Sequence, residues 1–448
     1  MRHFTYLLAA CLLALPFQGS AQKVYNLQSL LEQAVVNNSE IKKAALQQTE
    51  SNYKVRETVA QGLPQLSGKI DYTRMGIAGI NIPAGFAAEL PQDILPLLMQ
   101  LKNLKALHMI SSNVTLSELV YSKQYWTGIK QAKAARGLYD ILANKTKDEV
   151  VYDVATVYYQ LLNNYSSLET LNGIIQNLEK IENVLELQYQ NNLAKSTDVG
   201  RVKVQIANLK TNRQSLQDAI EIRKRILQIL CGLPLDTHLL VDTANNTVDH
   251  IQKPVIPQFS VNQLPAYQIM KKQQELAKLK IKADQAKYYP NLAIFGRYNY
   301  QTYSAQLSLS GMSPSTSFGF EANIPIFSSG ERHSKVMQSK LELKEMDEDF
   351  STNTQQLGTN YENAANALAS AWKGLQDQKE NKALAKQVYD QVKLSFKEGM
   401  ASLTDLLSVE SSLLDAENLY NQQLLKYRIA SLDMKNATGT ILSIVHEK

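Results

Sequence analysis

The sequence predicts an α+β membrane protein built as a tandem repeat. Three observations support this: the chain repeats itself, it carries long proline-free helical periodicities, and it holds short segments in which polar and apolar residues alternate. The repeat aligns everything else. Glu398 to Asp405, with the helical pattern that follows to Thr438-Gly439, matches Asn191 to Asp198 and the pattern ending at Cys231-Gly232, at an offset of 207 residues. Upstream, Asn38 to Tyr72 matches Leu264 to Tyr298 at an offset of 226 residues, pairing Gln47, Lys54, Pro64, Leu66 and Tyr72 with Gln273, Lys280, Pro290, Leu292 and Tyr298. The two offsets differ by 19 residues, which must be extra length in the first copy between Tyr72 and about Ser122.

At the N-terminus, Arg2 and His3 precede an apolar run from Phe4 to Phe17, and Gly19-Ser20-Ala21 supplies the small residues of a cleavage site, so residues 1–21 read as a secretory signal. Cys11 after Leu8-Ala9-Ala10 spells a lipoprotein box, but too few apolar residues precede it to form an export core. The expected order is then a first repeat at 22–232, a linker at 233–265 and a second repeat at 266–448. The linker carries Pro234, Pro254, Pro257 and Pro265 and is expected to form a belt outside the helices. Cys231 is left alone in the mature chain, so no internal disulfide can form, and its place beside a helix-ending glycine suggests a small buried side chain. A net charge of +5 is scattered, with no basic block of the kind nucleic acid requires. After the signal no apolar stretch reaches about 18 residues, so an exported chain of this kind is periplasmic, secreted, or held in an outer membrane by strands.

From Thr127 to about Gln190, apolar residues recur at helical spacing without a proline. Val154, Leu161, Leu168 and Ile175 form one heptad seam, and Leu171, Leu178 and Leu185 a second. The stretch of 64 residues is about 95 Å of helix at 1.5 Å per residue, and His333 to Phe396 has the same length. Each long helix is followed by a tip and a return helix, Thr197 to Cys231 and Thr404 to Thr438. The helices before the strands, Leu27 to Ala60 and Gln263 to Tyr288, would stack on the return helices to complete a wall, and Pro64 and Pro290 would end them.

After each proline the pattern alternates. Leu66, Gly68, Ile70 and Tyr72 oppose Ser67, Lys69 and Asp71, and Leu292, Ile294, Gly296, Tyr298 and Tyr300 oppose Arg297, Asn299 and Gln301. The return segments do the same, with Val114 and Leu116 against Thr115 and Ser117, and Phe318, Phe320, Ala322, Ile324 and Ile326 against Gly319, Glu321 and Asn323. Segments of about ten residues with one apolar and one polar face suit transmembrane barrel strands; soluble hairpins packed on a helical body are the other reading. Tyr72, Tyr298, Tyr300 and Trp126 are the candidate membrane-interface aromatics, with Tyr303, Tyr125, Tyr288, Tyr289 and Phe327 at neighbouring places. Gly76 to Met109, which holds Pro83, Pro91, Pro96 and the amphipathic stretch Ile94 to Leu107, is the surplus loop; Ser304 to Pro314 is its short counterpart. Four strands cannot close a barrel, and open edges in hydrocarbon cost several kcal/mol per unsatisfied group. Chains must therefore pool strands: two would give eight strands with a filled interior, three would give twelve with a lumen.

The repeated tip, the opening Leu27 to Ile41 and the strand–helix order together resemble the TolC-type outer-membrane efflux protein family over essentially the whole mature chain. The best-matching residues are Asn192 to Asp198 and Gly399 to Asp405. The resemblance implies a homotrimer with a 12-stranded outer-membrane barrel, four strands per chain, continued by a periplasmic α-helical coiled-coil barrel. It also implies outer-membrane lipid around the barrel, and a tip that meets a membrane-fusion adaptor paired with an inner-membrane pump. The function implied is a passive exit duct that opens at its periplasmic tip; a periplasmic coiled-coil scaffold is the alternative.

Gly399 and Asn192 suit the left-handed residue that ends a helix, and Ser402 with Asp405 resembles a capping box. Asp198 and Asp405 are either first-turn charges favoured by the helix dipole or, as the resemblance implies, carboxylates at a closed entrance. Thr197, Thr404 and Phe396 complete the candidate entrance set. Phe396 and Ala401 depart from the family, standing where it places a tyrosine and a basic residue. No catalytic, cofactor or metal site is expected. Histidines 108, 238, 250, 333 and 446 form no helical pair around a carboxylate, there is no Cys-x-x-Cys and no phosphate loop, and Glu345, Asp347, Glu348 and Asp349 read as a solvated face.

Overall fold

The computed structural model describes residues 24–76, 96, 106–243, 253–304, 307–309 and 311–446. The expected signal segment with Cys11, most of the surplus loop with its amphipathic stretch, and His250 lie outside the described residues. The elements, in order, are β1 (Val24–Tyr25), α1 (Leu27–Asn37), α2 (Ser39–Ala60), β2 (Gln65–Gly76), β3 (Ala106–Ser122), α3 (Lys123–Gln190), α4 (Ser196–Cys231), β4 (Leu240–Val241), α5 (Pro265–Ala286), β5 (Asn291–Ser304), β6 (Ser313–Asn323), α6 (Glu331–Lys397) and α7 (Leu403–Ala437). Single 3-10 turns at Val261–Gln263 and Ile441–Val445 precede α5 and follow α7. Contacts divide the chain into a helical unit (1–47, 140–270, 350–448) and a sheet unit (48–139, 271–349).

The sheet unit holds one antiparallel sheet in the order β2-β3-β5-β6. Its register puts Leu66, Leu116, Gly296 and Phe318 in one row across all four strands, with Ile70, Val114, Tyr298, Ile294 and Phe320 on the same face. Ser67, Thr115, Arg297 and Ser317 form a row on the opposite face. The alternation read in each segment is therefore in phase over the sheet, because a period of two keeps directly opposed residues on one side. The strands run longer than the expected ten residues, and β3 reaches 17 with a bulge between Leu119 and Tyr121. At the other margin β6 stops at Asn323, leaving Ile324 and Ile326 outside the strand. Pro325 has no amide to donate, and its carbonyl is taken by Arg332 Nη1 at 2.8 Å as the chain turns into α6.

The helical unit is a set of heptad-packed helices. Val154, Leu161, Ile175, Leu171, Leu178 and Leu185, from both seams, are buried. Residues 150–162 pack with Leu30, Leu31 and Ala34 of α1, Leu227 and Cys231 of α4, and Ile441. Cys231 is fully buried with Sγ 3.5 Å from the Leu30 carbonyl, and burial pushes its thiol up to about 12. β1 and β4 pair in parallel, a two-residue ladder that joins the segment before α1 to the segment after α4 and that nothing in the sequence pattern announced.

The expected helix from Leu27 to Ala60 is two helices. Asn38 interrupts it: its Oδ1 accepts from Glu40 N at 2.8 Å and Ile41 N at 3.2 Å, while its Nδ2 donates to the Leu230 carbonyl at 2.7 Å. A side chain that caps the next helix competes with continuing the previous one. Gly232 explains the position of the break. It closes α4 at φ 63, and the space where its Cβ would stand is 2.5 Å from the Asn37 carbonyl oxygen. A similar junction stands before α5: the helix begins only at Pro265, and Gly439 (φ 71) lies against the Gln263 carbonyl. Both pre-strand helices also end before their prolines, at Ala60 and Ala286, through tightened turns such as Gly62 N to Val59 O and Tyr289 N to Ala286 O.

Candidate functional site

Two features carry the candidate functions, one in each unit. In the helical unit, the hairpin α3–α4 turns at Asn191 to Lys195 and the hairpin α6–α7 at Glu398 to Ser402. Both turns are made by a left-handed residue, Asn192 at φ 59 and Gly399 at φ 74. Beside them Leu193 and Met400, at matching repeat positions, are 79% and 72% exposed, an apolar apex on each hairpin.

The two tip aspartates differ in use. Ser402 caps α7: its Oγ accepts from Asp405 N at 3.1 Å, and Asp405 Oδ2 accepts from Ser402 N at 3.1 Å and from its hydroxyl at 2.7 Å. These hydrogen bonds to Ser402 hold the exposed Asp405 carboxyl below the usual carboxylate range. In α4 the cap position is Lys195, which makes no side-chain cap. Asp198 occupies the first turn there without a capping partner, half-buried.

Thr197 is exposed in the first turn of α4. Thr404 Oγ1 accepts from Arg201 Nη1 at 2.7 Å, so the return helices of the two hairpins are tied together near their N-terminal ends, from the second turn of α4 to the first turn of α7. Arg201 was not singled out from the sequence, because its counterpart in the second repeat is Ser408 and nothing local marks the pair. Below this bond Leu403 packs with Val199, Val202 and Leu185, and Phe396 is half-buried against the same cluster and against that of Tyr389, Leu406 and Leu413. Phe396 thus serves as a wedge between the hairpins.

In the sheet unit, β2 and β6 are exposed along almost their whole length, and among the described residues each has a strand partner on one side only. Leu66, Ile70, Phe318 and Phe320 are 72–86% exposed on the apolar face. Tyr72 stacks on His108 with its hydroxyl 2.9 Å from Nδ1, and Tyr300 pairs with Pro314 and Ser112, both near the hairpin ends of the strands. Tyr298 lies mid-strand, opposite Val114 and Thr316. Trp126, in the first turn of α3, is 56% exposed and meets Tyr125 edge-on. Among the described residues no cluster could hold a metal ion, no helix is long and apolar enough to cross a membrane, and Glu345, Asp347, Glu348 and Asp349 are exposed.

A sequence model of the family described as outer membrane efflux protein matches residues 241–440. The outer membrane protein TolC of Salmonella enteritidis is 21% identical over 438 residues, covering 93% of this chain and 82% of the relative. That of Escherichia coli (strain K12) is 21% identical over 446 residues, with 94% and 84% covered. Among solved structures, the CmeC outer membrane channel of Campylobacter jejuni superposes with a TM-score of 0.73 at 16% identity, over 92% of this chain and 85% of that one. The outer membrane protein VceC of Vibrio cholerae gives 0.69 at 17%, over 92% and 96%.

Proposed function

We propose that the chain is a member of the outer membrane efflux protein family, whose model matches residues 241–440, and that it is the outer-membrane exit duct of a tripartite efflux or export assembly, a passive homotrimeric conduit opened at its periplasmic tip. The observation that carries this reading is the four-stranded sheet: a continuous apolar face turned to its surroundings and two exposed outer edges. In hydrocarbon each unpaired backbone group costs several kcal/mol, so the β2 edge of one copy must meet the β6 edge of the next. Three copies give a twelve-stranded barrel wide enough for a lumen.

The helical unit supplies the periplasmic part of the duct. Asn192, Thr197, Asp198, Phe396, Gly399, Thr404 and Asp405 form its entrance. The exposed Leu193 and Met400 apices offer an apolar grip to the adaptor, which in turn couples the duct to an inner-membrane pump. Opening separates the hairpins where Arg201 holds Thr404 and Phe396 fills the gap. The chain itself does no chemistry in this scheme; it contributes a wall, a gate and a docking end.

The test is the mass of the detergent-solubilised protein by light scattering, followed by conductance in a planar bilayer. A trimer with a stable ion current is the expected result. A monomer with full β content, or a chain released from membranes by carbonate, would instead identify a periplasmic scaffold whose hairpins pack on protein.

A further inference from the structure

Glu410 lies in the third turn of α7 and is 3% exposed, yet neither carboxyl oxygen has a hydrogen-bond partner. It sits in the packed seam formed by Leu406, Leu413 and Tyr389, with Ile181 of α3 and Val409 against it. The surrounding charges leave it unpaired. On α6, Tyr389 is 3% exposed and its hydroxyl lies beside the Glu410 carboxyl without forming a well-aligned hydrogen bond to it. Lys393 is directed to Asn177 Oδ1 of α3 at 3.4 Å and over the Tyr389 ring at 5.1 Å, and Asp390 faces Lys386 at 3.7 Å. From α3, Glu182 turns to Lys203. On α7 itself Asp405 is used by the cap at Ser402.

A carboxylate enclosed in a dry site, with only the Tyr389 hydroxyl and the Lys393 ammonium near it and no well-formed hydrogen bond, is unfavourable, and the protonated acid is the form that fits. The repeat shows that this is particular to the second hairpin. The counterparts of Glu410, Tyr389 and Lys393 are Lys203, Glu182 and Glu186, and there Lys203 pairs with Glu186 at 3.2 Å and Glu182 at 3.9 Å while half-exposed to water. A cavity of about 1010 Å³ between α3, α6 and α7 is lined by Lys379, Lys382 and Lys386 and by Tyr389, the side chain that stands beside the acid.

We propose that Glu410 is a proton-binding site that fastens the second hairpin: with the proton on, α7 seats dry against α6, and when the proton leaves, the seam loosens to let water and Lys393 reach the carboxylate. Burial, only partly offset by Lys393 and Tyr389, pushes the Glu410 carboxyl up to about 7 from 4.5. The seated state therefore binds the proton more tightly than the loosened one, so its stability falls as pH rises from about 4.5 to about 7 and is flat beyond.

The experiment is amide hydrogen exchange of the full solubilised chain at pH 5 to 8, corrected for intrinsic exchange. Peptides covering 385–396 and 405–415 are read against the first hairpin, 178–189 and 198–208, as the internal reference. Protection of the second hairpin should drop at least about tenfold relative to the first between pH 5 and pH 7.5, and Glu410→Gln should hold the acid level of protection at every pH. A wild-type ratio that does not change with pH overturns the proposal without any variant, and so does a pH dependence that survives in Glu410→Gln. If that variant fails to assemble, Glu410→Met, apolar and of similar length, is read in its place. The readout is helix packing and not current, so failure here leaves the duct reading standing.

Discussion

The two hairpins of the helical unit match in sequence at an offset of 207 residues, yet they hold opposite charges at matching positions. In α3–α4 the return helix carries the cations, Lys203 against Glu182 and Glu186 and Lys210 against Glu179 at 2.8 Å. In α6–α7 the return helix carries the acids: Glu410 stands where Lys203 does, and Glu417, which stands where Lys210 does, meets Lys382 at 3.8 Å. The sign is reversed at both positions, but the second pairing is also moved by one helical turn: Lys210 meets Glu179, whereas Glu417 meets Lys382 and not Lys386, the match of Glu179. Solvation is not kept, since Lys203 remains half-exposed and Glu410 is enclosed. Matching positions of the two hairpins thus carry an exposed ion pair in one and a buried acid in the other.

Reversing the charge at the two matching positions should produce the largest contrast. Glu410→Lys puts an ammonium into the dry seam beside Lys393 and is expected to destabilise the chain by about 3 to 5 kcal/mol. Lys203→Glu sets a third carboxylate among partially exposed groups and should cost about 1 kcal/mol or less. Thermal unfolding of each variant in detergent measures both. Equal losses would show that the buried and exposed seams are energetically alike and would dissolve the contrast.

The helix-ending glycines come next. Both Gly232 and Gly439 have positive φ, so alanine at either costs about 1 to 2 kcal/mol for the left-handed backbone alone. At Gly439 a Cβ would meet the Gln263 carbonyl at 3.3 Å, which a small adjustment relieves. At Gly232 it would stand 2.5 Å from the Asn37 oxygen and 2.8 Å from its carbon, so the α1–α2 junction must shift, adding roughly 1 to 3 kcal/mol. Gly232→Ala should melt well below Gly439→Ala, and a reversed order would mean that the first junction yields more easily than its contacts indicate.

Much of this arrangement was legible in the sequence, and the omissions have physical causes. The heptad seams, the long helices to within a few residues, the phase of all four strands and the burial of Cys231 follow from periodicity and composition, which local sequence encodes. The break at Asn38 was hidden because the residue that causes it acts through Leu230 and Gly232, about 190 residues away, while Leu27 to Ala60 reads as one helix. Ile324 and Ile326 continue an alternation that Pro325 physically ends. At the tips, Gly399, Asn192 and the Ser402–Asp405 box were readable from residue type. Arg201 and Glu410 were not, since a long-range hydrogen bond and an enclosed acid depend on which helices face each other.

The caps offer a smaller and more local comparison. Ser402→Ala should cost about 1 kcal/mol by removing the acceptor for Asp405 N. Lys195→Ser creates the same box with Asp198 in the first hairpin and should stabilise it by a few tenths to about 1 kcal/mol. The box also has an acid limit. Because Ser402 lowers the Asp405 carboxyl, its contribution is complete above the ordinary value of 3.8 and is lost only as pH falls through the lowered one, so the difference between Ser402→Ala and wild type should shrink at low pH.

The least effect on stability, and the most informative for function, is expected at Asp198. Its carboxylate caps nothing, so Asp198→Asn removes only a first-turn charge, worth about 0.3 to 1 kcal/mol at a helix N-terminus. Asp405→Asn instead replaces the charged acceptor of the two bonds from Ser402 that close the α7 cap by a neutral amide oxygen, which weakens both. If the tips converge at an entrance in the trimer, three uncommitted Asp198 carboxylates are the ones that meet a passing ion, and a ring of that kind sets cation preference. Reversal potentials under a salt gradient in a planar bilayer separate the two roles. Asp198→Asn is expected to lower cation selectivity at nearly unchanged melting temperature, and Asp405→Asn to lower the melting temperature with the smaller change in selectivity. If Asp198→Asn leaves the reversal potential where it was, the first-hairpin aspartate does not face the ion path, and the entrance must be sought among other residues of the tip.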